Sequence, residues 1–165
     1  MKSKSFSTGA RRLCLGAMVA ALYILLTYLS SLFSLSSGEI QFRLSEMLCI
    51  LPVFMPAAVT GLPVGCLLAN LLTGAPLLDV LTGSFATLLG AAGARLLRKH
   101  PRIAPLPTVL ANALLIPLVL IYTLHLSSAY PLLVLTIGIG EVVCAWFGGI
   151  LLWKVLKKTP AAHAD

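Results

Sequence analysis

Charge is what this chain has least of. Lys, Arg, Asp and Glu together make up only 10% of its 165 residues, against about 25% in a soluble domain. With 59% hydrophobic residues and a mean hydropathy of +1.00, a one-core soluble fold would have no surface to show water. Acids are scarcer still, five against twelve Lys and Arg. No P-loop is present, which excludes a nucleotide motor in this chain. The absence of HExxH and GxSxG removes the familiar zinc-protease and serine-hydrolase sites. Cys14, Cys49, Cys66 and Cys144 stand singly in apolar segments without a CxxC pair. Neither a structural metal nor a disulfide framework is indicated, and no cofactor is expected. The two halves show no clear internal repeat, which weakens a carrier built by duplication. What remains is a polytopic helical membrane protein, one domain over 1–165 with short loops.

The cations that are present form a pattern. Eleven of the twelve fall in three clusters: Lys2, Lys4, Arg11 and Arg12; Arg95, Arg98, Lys99 and Arg102; Lys154, Lys157 and Lys158. They flank apolar segments, and no aromatic-basic face accompanies them, so nucleic acid is not the partner. Cations beside membrane spans stay cytoplasmic, and contact with anionic lipid is a secondary effect. Apolar segments cover 13–33, 44–58, 62–72, 79–97, 106–126 and 131–156. The second and third are short, and Pro52, Pro56, Gly61 and Pro63 interrupt them. One helix over 44–74 gives three crossings between the first two clusters, and two helices give four. An even number keeps both clusters inside, so two helices with a turn near Pro56–Gly61 are expected. A further turn near Ser127–Tyr130 returns the third cluster. The expected fold is an all-α six-transmembrane-helix bundle with both termini cytoplasmic. A basic segment 1–12 precedes the bundle at 13–156, and a tail 157–165 follows.

Arg43 is the twelfth cation, and this topology places it on the outer side. Glu39, Gln41, Ser45 and Glu46 lie near it, Asn70 and Asp79 flank the next outer turn, and Tyr122, His125 and Tyr130 the last. Glu141, about ten residues into the sixth helix, lies on the order of 15 Å deep. Asn112 falls near the same depth. A charge there costs roughly 2.5–3.5 kcal/mol on insertion scales. Glu141 is therefore either hydrogen-bonded across helices, to Asn112, or exposed to a ligand in an outward cavity. Arg43 and Glu46, three apart, are either a structural pair or part of the same site. Asp79 either caps its helix or joins them, and Asn70 is either a packing hydrogen bond or a ligand contact. Ala17 with Ala21, and Gly16 with Ala20, are small-residue pairs that let helices approach, inside the bundle or against another membrane protein.

The stretches IQFRLSEMLCILPVF, GLPVGCLLANLLTG and LDVLTGSFATLLGA, with LANALLIP and IGIGE further on, resemble the QueT family over about residues 13–156. That resemblance implies an S component of an energy-coupling-factor (ECF) transporter: a membrane binding subunit, not an enzyme, in a bacterial cell membrane. It implies an outward pocket for a queuosine precursor, covered by the first outer loop, about Ser34–Phe42. The partners implied are a transmembrane coupling protein and two ATPase subunits. Ala17 and Ala21 match the family's docking motif for the coupling protein. A deazaguanine edge offers adjacent N–H donors to a carboxylate, Glu141 or Glu46, while Arg43 or an Asn meets its carbonyl. Asp79 suits a cationic substituent, and Trp146, Tyr122 or Phe42 suits stacking. The candidate ligand set is thus Arg43, Glu46, Asn70, Asp79, Asn112 and Glu141. A stand-alone carrier or channel, an S component for another vitamin, and a small membrane enzyme using Glu46, Asp79 and His125 are the rival readings.

Overall fold

Hydrophobic runs broken only by proline, glycine and short polar links leave helices as the way to satisfy every backbone group in lipid. A computed structural model has that form. It describes residues 2–33, 42–124 and 130–159, the side chains of 2–8 and 124 excepted. These residues form helix α1 (Lys2–Leu32), a 3-10 helix (Leu44–Val53), and helices α2 (Ala57–Leu72), α3 (Leu77–Leu96) and α4 (Leu106–Leu124). Helix α5 (Tyr130–Glu141) then runs through a π-helical segment (Val142–Gly148) into α6 (Gly149–Leu156). No strand occurs among the described residues. Four helical stretches are long and apolar enough to cross a membrane: Gly9–Leu32, Leu77–Leu96, Leu106–Thr123 and Tyr130–Leu156. The chain is a multi-pass membrane protein.

Contacts between side chains set the direction of each segment. Ser30, Thr27 and Tyr23 of α1 meet Leu44, Ser45 and Glu46 in turn, so the 3-10 helix runs back along α1. A Cβ on Gly61 would touch Gly16, and one on Gly65 would touch Ala20 and Tyr23, so α2 runs parallel to α1. The 3-10 helix therefore carries the chain from the level of Ser30 back toward that of Gly16, near the middle of α1. At about 2.0 Å rise per residue, ten residues reach roughly 20 Å, further than the same number in an α-helix. Helix α3 returns against α2, with Gly83 beside Asn70, and α4 returns against α3, with Gly90 beside Thr108. Gly148 and Gly149 lie beside Met47 and Ile50, so the last segment descends parallel to the 3-10 helix.

The break between the two short helices lies at Phe54–Pro56, not at Pro56–Gly61. Pro56 is the N-cap of α2, where its fixed φ suits the start of a helix. Gly61 and Pro63 sit inside α2 instead of interrupting it. Gly61 is needed there for contact with α1, since its Cβ would lie 2.5 Å from the Gly16 carbonyl oxygen. Helix α1 takes in the basic segment, being helical from Lys2. The turn after α2 is closed by Gly74 at φ +73. There Ala75 N–H donates to the Asn70 carbonyl at 2.9 Å and Gly74 N–H to that of Leu71 at 3.2 Å, a left-handed C-cap. Asp79 is thereby delivered to the first turn of α3.

Arg95, a member of the second basic cluster, has a structural task. Its guanidinium donates to the carbonyls of Pro52 at 3.1 Å and Val53 at 3.4 Å. These are the last carbonyls of the 3-10 helix, which have no acceptor duty within it.

Candidate functional site

Helix α1 carries Tyr23, Thr27 and Ser30 at helical spacing, a polar stripe on one face. All three are buried, and the 3-10 helix supplies their partners. Tyr23 donates its hydroxyl proton to Glu46 Oε1 at 2.5 Å. Thr27 donates to Ser45 Oγ at 2.9 Å, and Leu44 N–H donates to Ser30 Oγ at 3.0 Å. The 3-10 repeat eclipses side chains three apart, which brings Cys49 over Glu46. Its thiol donates to Glu46 Oε2 at 3.2 Å. Both carboxyl oxygens of Glu46, 1% exposed, are thus engaged by the protein itself.

Arg43 immediately precedes the 3-10 helix in an extended conformation. Its Nη2 lies 3.7 Å from Asp79 Oδ2, and the two side chains are 11% and 10% exposed. Glu46 stays close in the backbone, its N–H donating to the Arg43 carbonyl at 3.0 Å, but its side chain turns to Tyr23. Arg43 is therefore paired across helices, not along its own. The Asp79 carboxylate supplies the counter-charge of this buried guanidinium. Asp79 is not a cap, because the N-cap of α3 is Pro76 and no side chain caps that end.

Glu141 is buried at the end of α5, where the π-helical segment begins. A π-helical turn shifts the helix face by part of a turn and is common at functional sites. The Asn112 amide faces the Glu141 carboxyl at hydrogen-bonding reach, and Glu46 and Arg43 lie within its electrostatic range. Asn70 is 2% exposed, with Nδ2 3.7 Å from Cys66 Sγ. Cys66 in turn lies near Glu46, Arg43, Thr87 and Tyr23. The structure thus gathers Arg43, Glu46, Asp79, Asn112 and Glu141 in one buried polar core, with Asn70 on its α2–α3 side.

Among the described residues, four buried side-chain atoms lack a hydrogen-bond partner: Arg43 Nε, Asp79 Oδ1, Thr108 Oγ1 and Glu141 Oε2. The Cys49 thiol lies near Thr108, without full hydrogen-bond geometry. Leaving such groups unsatisfied costs about 1–3 kcal/mol each. Three acids also share one arginine here, so the core carries an excess of acceptors.

Ser45 was expected beside Arg43, whereas Tyr23, Thr27, Cys49 and Thr108 were not expected in this core. Tyr23 and Thr27 were legible as a polar stripe within an apolar helix; Cys49 and Thr108 gave no such signal. Tyr122 is 74% exposed, outside the core, while Trp146 and Phe42 are partly buried. Glu39, Gln41, His125 and the 34–41 part of the covering loop lie outside the described residues. Ala17 and Ala21 are exposed on α1, whereas Gly16 and Ala20 pack on α2. No group of three or more His, Cys, Asp or Glu that could hold a metal occurs among the described residues.

A bundle of apolar helices around a buried, partly unsatisfied charged core is the architecture of a membrane transport protein, in which intramembrane charges mark substrate pathways. The QueT transporter family model matches residues 13–158, and the chain belongs to that family. It is 40% identical over 73 residues to a protein named queuosine precursor transporter QueT from Lactococcus lactis subsp. cremoris (strain MG1363). That stretch spans 44% of this chain and 43% of the relative. No solved structure matches the chain.

Proposed function

We propose that this chain is the substrate-binding S component of an ECF-type uptake transporter in a bacterial cell membrane, and that it takes a queuosine precursor from outside. In this reading the six helical segments cross the membrane six times and both termini are cytoplasmic. The three basic clusters support that orientation. The chain performs no covalent chemistry; a transmembrane coupling protein and two ATPase subunits supply the energy.

The observation that carries the reading is the set of unpartnered polar atoms around Arg43, Asp79, Thr108 and Glu141. A deazaguanine brings complementary groups. Its ring carbonyl accepts from Arg43 Nε, and its adjacent N–H donors reach the free oxygen of Glu141 in a charge-assisted bond. A cationic aminomethyl substituent pairs with Asp79 Oδ1. That charge also answers the excess of carboxylates over arginine. Glu46, with both oxygens engaged by Tyr23 and Cys49, positions the 3-10 helix beneath the ligand. Asn112 orients Glu141, and Asn70 borders the pocket. The half-buried Trp146 offers a stacking surface. Ala17 and Ala21, exposed on α1, form the docking stripe for the coupling protein.

The test is the small molecule that co-purifies with the protein, identified by mass, followed by binding to the Asp79→Asn and Glu141→Gln variants. A deazaguanine of queuosine-precursor mass, bound at least about tenfold more weakly by each variant, is expected. An unrelated vitamin overturns the substrate. Unchanged affinity in both variants overturns the site.

A further inference from the structure

The end of the molecule remote from the charged core carries two adjoining grooves. One, of about 770 Å³, is bordered by Trp153, Lys154, Lys157 and Lys158. The other, of about 350 Å³, is bordered by Lys99, Arg102 and the same Trp153. Two basic clusters far apart in sequence are thereby joined around one indole. Lys157 Nζ lies 5.3 Å from the centroid of that ring, a cation–π contact. Among the described residues no carboxylate borders either groove, and Glu46, Asp79 and Glu141 all lie in the distant core. Among the described residues no acid neutralises the cationic rim. His100 and Pro101 complete the smaller groove, and the apolar walls are Leu151, Val155 and Ile103, which are 64%, 56% and 42% exposed. Leu151 and Val155 continue the apolar surface of α6.

We infer that these grooves form a seat for the headgroup of an anionic phospholipid, with Lys99 and Arg102 on one side of Trp153 and Lys154, Lys157 and Lys158 on the other. Charge complementarity selects an anion, and lysines and arginines beside a membrane surface attract anionic lipid. The apolar wall selects an anion that carries acyl chains, because it would be wasted on a free ion. Tryptophan is the side chain that suits this depth, with an apolar body and one N–H donor for a phosphate or glycerol oxygen. The inference stands independently of what the charged core binds.

The test uses the full-length chain in detergent micelles, titrated with phosphatidylglycerol or phosphatidylcholine, and counts retained lipids by native mass spectrometry. The unaltered chain is expected to retain phosphatidylglycerol and not phosphatidylcholine. The Lys99→Gln/Arg102→Gln pair should weaken that retention by about tenfold or more. Trp153→Leu keeps every charge, and therefore the membrane orientation, and should also weaken it. Arg11→Gln/Arg12→Gln alters the same charge count elsewhere and should leave it unchanged. Equal loss in the Arg11/Arg12 pair overturns the seat, because retention then reflects diffuse charge. Displacement of the lipid by equimolar inorganic phosphate overturns the lipid in favour of a free anion. Unaltered lipid retention in the Lys99/Arg102 pair, with weaker capture of the coupling and ATPase subunits, overturns it in favour of a protein partner.

Discussion

Arg43 and Asp79 are paired at 3.7 Å across the gap between the 3-10 helix and α3, with both side chains about nine-tenths buried. The pair is loose, and each partner retains an atom without a hydrogen bond. A pair built only for stability would close to charge-assisted hydrogen-bond length.

Asp79→Asn should therefore be costly twice over. It leaves a buried guanidinium without its counter-charge, an effect of about 3–5 kcal/mol. Replacing both partners, Arg43→Met with Asp79→Leu, should recover most of that stability, as apolar replacements of buried ion pairs commonly do. Thermal unfolding in detergent measures this step. Ligand binding should stay lost in the double variant. Recovery of binding together with stability would reduce the pair to a structural strut.

Tyr23→Phe removes one hydroxyl and leaves Glu46 Oε1 buried without its donor. The expected loss is about 1–3 kcal/mol. Glu46→Gln on that background should be milder than on the native one, since an amide no longer demands the same solvation. A double-mutant cycle on unfolding midpoints reads this coupling.

Gly61→Ala places a Cβ 2.5 Å from the Gly16 backbone oxygen, and neither backbone can yield cheaply. Forcing α1 and α2 apart should cost about 1–3 kcal/mol. Gly9→Ala is the control, because nothing lies within 4 Å of its Cβ. Comparing the melting temperatures of the two variants decides the matter: equal values would exclude close α1–α2 packing at Gly61.

Ala17→Leu with Ala21→Leu adds bulk to an exposed stripe and should leave melting temperature within about 0.5 kcal/mol equivalent of the native chain. In the proposed assembly it should abolish co-purification of the coupling protein and ATPases while ligand affinity stays unchanged. Intact assembly with both leucines present would move the docking surface elsewhere.

Much of this architecture was legible in the residues. The paucity of charge and the apolar runs placed the helices, and the even-crossing argument required the chain to return between α1 and α2. In the structure a 3-10 helix runs back along α1 before α2 begins. Its form was not legible, because a ten-residue 3-10 helix and an α-helix share similar apolar spacing over so short a run. Pro52, Gly61 and Pro63 read as breaks, yet each sits inside a helix. Local propensity was overridden by packing: Gly61 is there because α1 comes too close for any side chain.

The polar residues divide in the same way. Their scarcity alone singled out Arg43, Glu46, Asn70, Asp79, Asn112 and Glu141, since in an apolar chain every buried charge must have a task. Which of them meet was a matter of tertiary structure. Arg43 lies three residues from Glu46 but pairs with Asp79, thirty-six residues away. The reason is that Glu46 is claimed from the other side by Tyr23 and Cys49. Sequence determined that a lone cation would face a few acids in a helical membrane bundle. Only the packing of α1, the 3-10 helix and α3 decided which carboxylate it faces, because a buried hydrogen bond depends on direction across helices and not on distance along the chain.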